Sequence, residues 1–164
     1  MHEDPAARRF GGIAALYGAA GLERFHASHV CVIGLGGVGS WVAEALARSG
    51  IGSLTLIDMD HVAVSNMNRQ LVALESTLGK ATARVLEERI LEINPPATVR
   101  AIEEFVTRDA HSELLDGGYD MVVDCIDSYR DKAAIIAWCR RSKVPVVTVG
   151  GTGGKRDPGA FATR

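Results

Sequence analysis

Five short apolar runs, separated by stretches with helical spacing, set the pattern of this chain. Val30-Cys31-Val32-Ile33 is rich in β-branched residues and ends on glycine, which predicts a buried parallel strand. Past the glycines, Val38, Trp41, Val42, Ala45 and Leu46 recur at helical intervals, and Gly50 supplies the stop. Ser53 to Asp58 predicts a second strand. Gly79 to Ile93 predicts a helix with Leu78, Ala81, Val85, Leu86, Ile90 and Ile93 on one side, closed by Asn94-Pro95-Pro96. Thr98 to Val106 predicts a third strand, Asp109 to Leu115 a short helix, and Asp120 to Ile126 a fourth strand. Ser128 and Asp131 have the spacing of a capping box that opens a helix to about Arg141. Val144 to Val149 predicts a fifth strand, with Pro145 at its tolerated start. Residues 8–27 read as a helical lead-in.

Alternating strands and helices predict an α/β fold: a mostly parallel sheet with helices on both faces, preceded by an N-terminal helical segment. The 164 residues allow one domain, and a chain of this length buries about 70% of its unfolded surface. With 47% hydrophobic and 23% charged residues, wholesale disorder is excluded. A formal charge of -2 argues against a broad electrostatic coating of nucleic acid or membrane. Val30 to Ala43, the longest uncharged apolar stretch near the front, is too short and glycine-rich to cross a bilayer. Glu3, Asp4, Arg8 and Arg9 have no apolar run behind them, so no signal peptide is expected. Cys31, Cys125 and Cys139 form no C-x-x-C pair, which excludes a zinc ribbon within the chain and points to a reducing, cytoplasmic setting. No His or second Cys stands next to any of them, so covalent catalysis is not assigned; they read as small core residues.

The chemistry begins at Gly34-Leu35-Gly36-Gly37-Val38-Gly39, which satisfies G-x-G-x-x-G between a predicted strand and a predicted helix. Gly34 permits the tight turn, Gly36 lets backbone amides approach phosphate, and Gly39 lets the helix press on the sheet, its N-terminus favouring an anion. Asp58, 19 residues beyond Gly39 at the end of the second strand, is placed to accept ribose hydroxyls. A nucleotide is thus expected, of a kind the loop alone leaves open. Gly154-Lys155 imitates a phosphate loop of the G-x-x-x-x-G-K-[ST] type, but Val149 and Arg156 break it, so that class is rejected.

The segment beyond the second strand separates a nicotinamide from a triphosphate. Asp58-Met59-Asp60 leads into Ser65-Asn66-Met67-Asn68-Arg69-Gln70, and Gly79-Lys80 comes next. Hydride transfer has little need of Asn66, Arg69 and Lys80 there, whereas a triphosphate needs cations around it. Solvated surface charge is the competing account of Arg69 and Lys80. Asp124-Cys125-Ile126-Asp127 closes the fourth strand, where a carboxylate overlooks the ligand crevice. Asp127 can hold magnesium with phosphate oxygens; its competing role is that of a helix cap.

Together these segments resemble the ubiquitin-activating, ThiF-like superfamily, which includes the molybdopterin-synthase and thiamine sulfur-carrier adenylyltransferases. Arg9-Phe10-Gly11-Gly12, Leu16-Tyr17-Gly18, Trp41 to Ala47 and Val149-Gly150-Gly151-Thr152-Gly153-Gly154 look most like its tRNA threonylcarbamoyladenosine dehydratase branch. The resemblance implies a Rossmann-like nucleotide-binding domain spanning residues 1–164 and ATP-dependent activation of a carboxylate. The glycines Gly34, Gly36, Gly37 and Gly39 would bind ATP together with Asp58, Asp60, Asn66, Arg69 and Lys80. Arg69, Lys80 and Asp127 would be catalytic, Asp127 as the magnesium ligand. The implied substrate is tRNA bearing threonylcarbamoyladenosine, whose carboxylate is adenylated and then cyclises with loss of AMP. The family also implies a homodimer. The alternatives are adenylation of a ubiquitin-like sulfur carrier, with sulfur-transfer partner proteins, and a nucleotide-binding fragment without turnover; a nicotinamide reductase ranks last. Where sulfur-carrier activators have an arginine finger this chain has Gly12, leaving Arg8 or Arg9 for that role. Members of the branch continue well past position 164, so a chain truncated at its C-terminus, the nucleotide-binding half, is expected.

Overall fold

A computed structural model gives the arrangement and describes residues 8–107, 111–150 and 157. Helices α1 (Gly11–Tyr17) and α2 (Ala19–Ala27) meet at Gly18 and lead into β1 (His29–Ile33). Then come α3 (Gly39–Arg48), β2 (Ser53–Ile57), an excursion holding two single 3-10 turns (Val64–Asn66 and Glu75–Thr77), and α4 (Thr82–Ile93). The remainder is β3 (Thr98–Ile102), α5 (His111–Leu115), β4 (Met121–Asp124), α6 (Tyr129–Ser142) and β5 (Val146–Thr148).

All strand pairs are parallel, in the order β3-β2-β1-β4-β5. Period-two alternation divides the core between the two sheet faces. Val30, Val32, Leu54 and Leu56 pack with Ala43 and Ala47 of α3 and Leu86 and Ile90 of α4. On the other face Cys31, Ile33, Ile57 and Val122 pack with Leu115 of α5 and Ile135 and Cys139 of α6. Helices therefore cover both faces, as the alternation predicts. Burial pushes the Cys31 thiol up to about 12, consistent with an inert core residue. Glu44 of α3 joins α3 to α4 by accepting from Arg89 at 2.6 Å and from Arg48 at 2.8 Å. Burial alone would raise its pKa, but the two arginines outweigh that and hold the carboxyl below its usual range.

Five elements are shorter than their patterns predict, and the register explains where four of them end. Ile33 pairs with Ile57, Ile57 with Ile102, Ile33 with Asp124, and Asp124 with Thr148. The strands stop at one level, so Asp58, Glu103 to Val106, Cys125–Ile126 and Val149 leave the sheet. The helix expected from Gly79 begins at Thr82, because Ala81 is extended and bridges His61. Asp109 and the 151–154 part of the glycine-rich segment lie outside the described residues.

Candidate functional site

Strand order reverses between β1 and β4, since β1 continues through α3 to β2 on one side while β4 lies on the other. Crevices of α/β sheets open at such a switch point, beyond the carboxyl ends of the strands. Here the crevice is a cavity of about 700 Å³, within the range of small-molecule sites. Its walls come from the loops after β1, β2, β3, β4 and β5: Gly34 to Val38 without Leu35, Asp58 to Asp60, Glu104 to Thr107, Cys125 to Ser128, and Val149–Gly150. Arg69, Gln70 and Asp131 complete it.

The glycine loop follows from two close approaches. Gly34 turns with φ +80°, the left-handed region that favours glycine, and a Cβ there would stand 2.9 Å from Ile126 Cγ2. At Gly39 a Cβ would overlap the carbonyl oxygen of Gly34, so the first residue of α3 has to be glycine for helix and loop to touch. Around Gly36 there is room; the nearest atom to a built Cβ is Gln70 Nε2 at 3.9 Å. Gly37 lies under the stem of Arg69, whose Cγ and Cδ stand 3.0 and 3.2 Å from where a Cβ would be.

Asp58 is tied to this loop. Its carboxylate accepts from the backbone N–H of Leu35 at 2.5 Å and of Asp60 at 2.7 Å. Burial raises its pKa, and those two bonds only partly offset the shift. A half-buried acid at the end of β2, already oriented by the loop, suits a pair of sugar hydroxyls. Arg69 is exposed, and its Nη1 donates to Ser65 O at 2.9 Å and Asn68 Oδ1 at 3.0 Å. Asp127 is exposed on the cavity wall, and its carboxylate takes no hydrogen bond among the described residues.

Gly34, Gly36, Gly37, Asp58, Asp60, Arg69 and Asp127 thus line one cavity, and Gly39 supports it from behind. Asn66 and Lys80 do not line it. Asn66 Oδ1 accepts from Ala63 N at 2.8 Å within its own turn. Lys80 is exposed just before α4, its backbone carbonyl accepting from Val62 N. The expected capping box does not form: Ser128 is the N-cap of α6 but makes no side-chain cap bond, and its hydroxyl donates to the Asp131 carboxylate at 2.5 Å. Asp127 lies outside that helix and is not its cap. Arg9 donates to Ile93 O at 2.7 Å, fastening the lead-in to the end of α4.

Two neighbours of the site, Lys132 and Thr148, gave no signal in the sequence. Asp124 is wholly buried at the end of β4 and accepts from Lys132 Nζ at 2.5 Å and Thr148 Oγ at 2.6 Å. That cluster joins β4, α6 and β5 directly beneath Cys125–Ser128. Burial raises the Cys125 thiol to about 11, so it faces the cavity as a neutral group. No cluster of three or more His, Cys, Asp or Glu suited to a metal occurs among the described residues. Magnesium bound chiefly through phosphate and water needs only one or two carboxylates, and Asp127 fits that demand.

The sequence model of the ThiF family matches residues 11–162. The chain belongs to the ThiF family. Within this family it is 56% identical over 151 residues to the tRNA threonylcarbamoyladenosine dehydratase of Escherichia coli, covering 92% of this chain and 56% of that protein. It is 34% identical over 128 residues to the molybdopterin-synthase adenylyltransferase of Salmonella typhimurium, covering 78% and 51%. The crystal structure of the Escherichia coli tRNA N6-threonylcarbamoyladenosine dehydratase in complex with ATP superposes with a TM-score of 0.93 at 53% identity, over 97% of this chain and 65% of that one. The chain therefore spans just over half the length of the curated relatives it matches. The Rossmann-like ThiF fold implied by the sequence is the fold observed, and no helix among the described residues is long and apolar enough to cross a membrane.

Proposed function

We propose that this chain is the nucleotide-binding part of an ATP-dependent dehydratase acting on threonylcarbamoyladenosine in tRNA. The reading is carried by Arg69 lying over Gly37 of a phosphate-type glycine loop, with the ribose-type acid Asp58 beside it and the unengaged carboxylate of Asp127 in the same cavity. A hydride-transfer site has little need of that cation together with Asp127 beside the same loop. The high identity to a dehydratase, against 34% for a sulfur-carrier adenylyltransferase, favours tRNA over a protein carboxylate.

In this reading Asp58 accepts the ribose hydroxyls and the amides around Gly36 and Gly37 meet the phosphates. Arg69 and Lys80 stabilise the negative charge that develops as the substrate carboxylate attacks the α-phosphorus and pyrophosphate leaves. A nucleophile within the threonylcarbamoyl group then attacks the adenylated carboxyl carbon, forming the ring bond and giving up its proton as the carbon–oxygen bond to AMP breaks; one carboxyl oxygen leaves in AMP, so the net change is dehydration. Magnesium, when bound, neutralises phosphate charge during the transfer. Asp127 would hold it, Asp60 flanks the ribose, and Asn66 shapes the segment that carries Arg69. A cytoplasmic homodimer completes the proposal, in keeping with three thiols and no disulfide pairing.

Titration calorimetry is the direct test. The chain is expected to bind ATP with magnesium and to show little affinity for NAD; tight NAD binding without ATP binding would reverse the assignment. The role of Asp127 is tested by Asp127→Asn, which keeps size but removes the charge a hard cation prefers. The magnesium dependence of ATP binding is expected to weaken markedly while the folding stability stays within about 0.5 kcal/mol of wild type, as for other surface changes. Unaltered magnesium dependence removes Asp127 from the site.

A further inference from the structure

Arg69 belongs to a stretch without helix or strand, yet it must be held accurately over the glycine loop. Its own segment supplies only short-range bonds: Arg69 N and Gln70 N both donate to Asn66 O, at 3.1 and 2.9 Å. The guanidinium is anchored to Ser65 and Asn68 of the same segment, so wherever that backbone lies the cation follows.

Two consecutive residues in the first turn of α3 reach across to it. Ser40 is wholly buried; its hydroxyl donates to Gly36 O at 2.7 Å and accepts from Leu71 N at 3.3 Å. It thereby joins the glycine loop to the residues just after Arg69. Trp41 Nε1 donates to the carbonyl oxygen of Arg69 itself, at 3.0 Å. The indole is 53% exposed, so packing alone is a poor account of a residue this large at that position. An indole offers what no other large apolar side chain does, a single N–H donor at the end of a rigid ring.

We infer that Trp41 and Ser40 are positioning residues for Arg69, fastening its segment to the loop that seats the phosphates. This inference rests on the ATP reading above. Ser40 sets the distance between the two backbones, and Trp41 sets the height of Arg69 along α3. The first turn of α3 therefore does two things: its backbone closes onto the glycine loop through Ser40 N and Gly36 O, and its side chains hold the segment that carries the cation.

The test is a double-mutant cycle read by calorimetry of the whole chain, with magnesium–ATP and adenosine as probes. Trp41→Phe keeps an aromatic ring and removes the N–H. It is expected to weaken ATP binding by about three- to tenfold, the range one hydrogen bond supports, and to leave adenosine binding unchanged. In an Arg69→Ala background the same substitution is expected to change ATP affinity by less than about twofold, because the group it positions is gone. Ser40→Ala is expected to behave alike. An undiminished effect without Arg69, an equal loss for adenosine, or no loss for either variant overturns the inference while the ATP reading stands. Wild-type chain that binds no ATP overturns the ATP reading and takes this inference with it.

Discussion

In a full-length version of the protein, Lys80→Ala is expected to lower pyrophosphate–ATP exchange by about 10²-fold or more, the cost of losing one preorganised charge-stabilising group. Lys80 does not line the cavity. Its backbone, however, is pinned: its N–H donates to Thr77 O at 3.0 Å, its carbonyl accepts from Val62 N at 2.9 Å, and Ala81 bridges to His61. Under the proposed function, a fixed backbone with four free methylenes suits a cation that would swing onto the triphosphate, with Arg69 meeting the same charge from a preset place. The ammonium is exposed and has no partner among the described residues, so the melting temperature is expected to hold. Exchange at the wild-type rate makes Lys80 ordinary surface charge.

The second large effect divides the glycine loop into two kinds of glycine. In Gly39→Ala the new methyl group meets the backbone carbonyl of Gly34 and, at 3.3 Å, Cys125 Cβ. Backbone cannot step aside, so α3 must lift from the loop, at a cost of about 1–3 kcal/mol or more. For a domain of this size that is a loss of about 2–4 °C in melting temperature per kcal/mol, with ATP affinity falling alongside. In Gly36→Ala the methyl group enters open space, so the fold is expected to keep its melting temperature. ATP affinity is nonetheless expected to fall by about tenfold or more, equivalent to about 1.4 kcal/mol, because the methyl group occupies the approach of the phosphate. Gly36→Ala protein that binds ATP like wild type would show that phosphate does not sit there.

Much of this fold was legible in the order of residues. The β-branched runs that became β1, β2 and β4 are short-range signals, and so is the stop at Gly50, which turns with φ +86°. The glycine loop could be read because strand, loop and helix are adjacent in the chain. Strand ends were less legible, since each is set by a neighbour: β3 stops at Ile102 because β2 stops at Ile57, where Asp58 turns to meet Leu35. The excursion from Asp58 to Ala81 has no period to read, and its residues are placed by bonds from α3 that span 28 and 31 positions. Ser128 and Asp131 are the instructive failure. Their spacing is that of a cap, but two side chains that can bond each other need not bond the backbone.

The link from buried Asp124 to Lys132 and Thr148 has a consequence for how the molecule breathes. β5 has only three residues, two of them exposed, and a strand so short at a sheet edge would ordinarily fray on its own. Peeling it away would strip the Thr148 hydroxyl from Asp124, a wholly buried carboxylate, and leave it the Lys132 ammonium and the Ile126 amide as donors. Losing a hydrogen bond to a buried carboxylate is costly, so the strand opens less readily than its length suggests. The rim of the cavity at Val149, whose amide donates to Asp124 O at 2.9 Å, is thereby coupled to the central strands, and that amide proton is expected to exchange more slowly than one at a loose chain end.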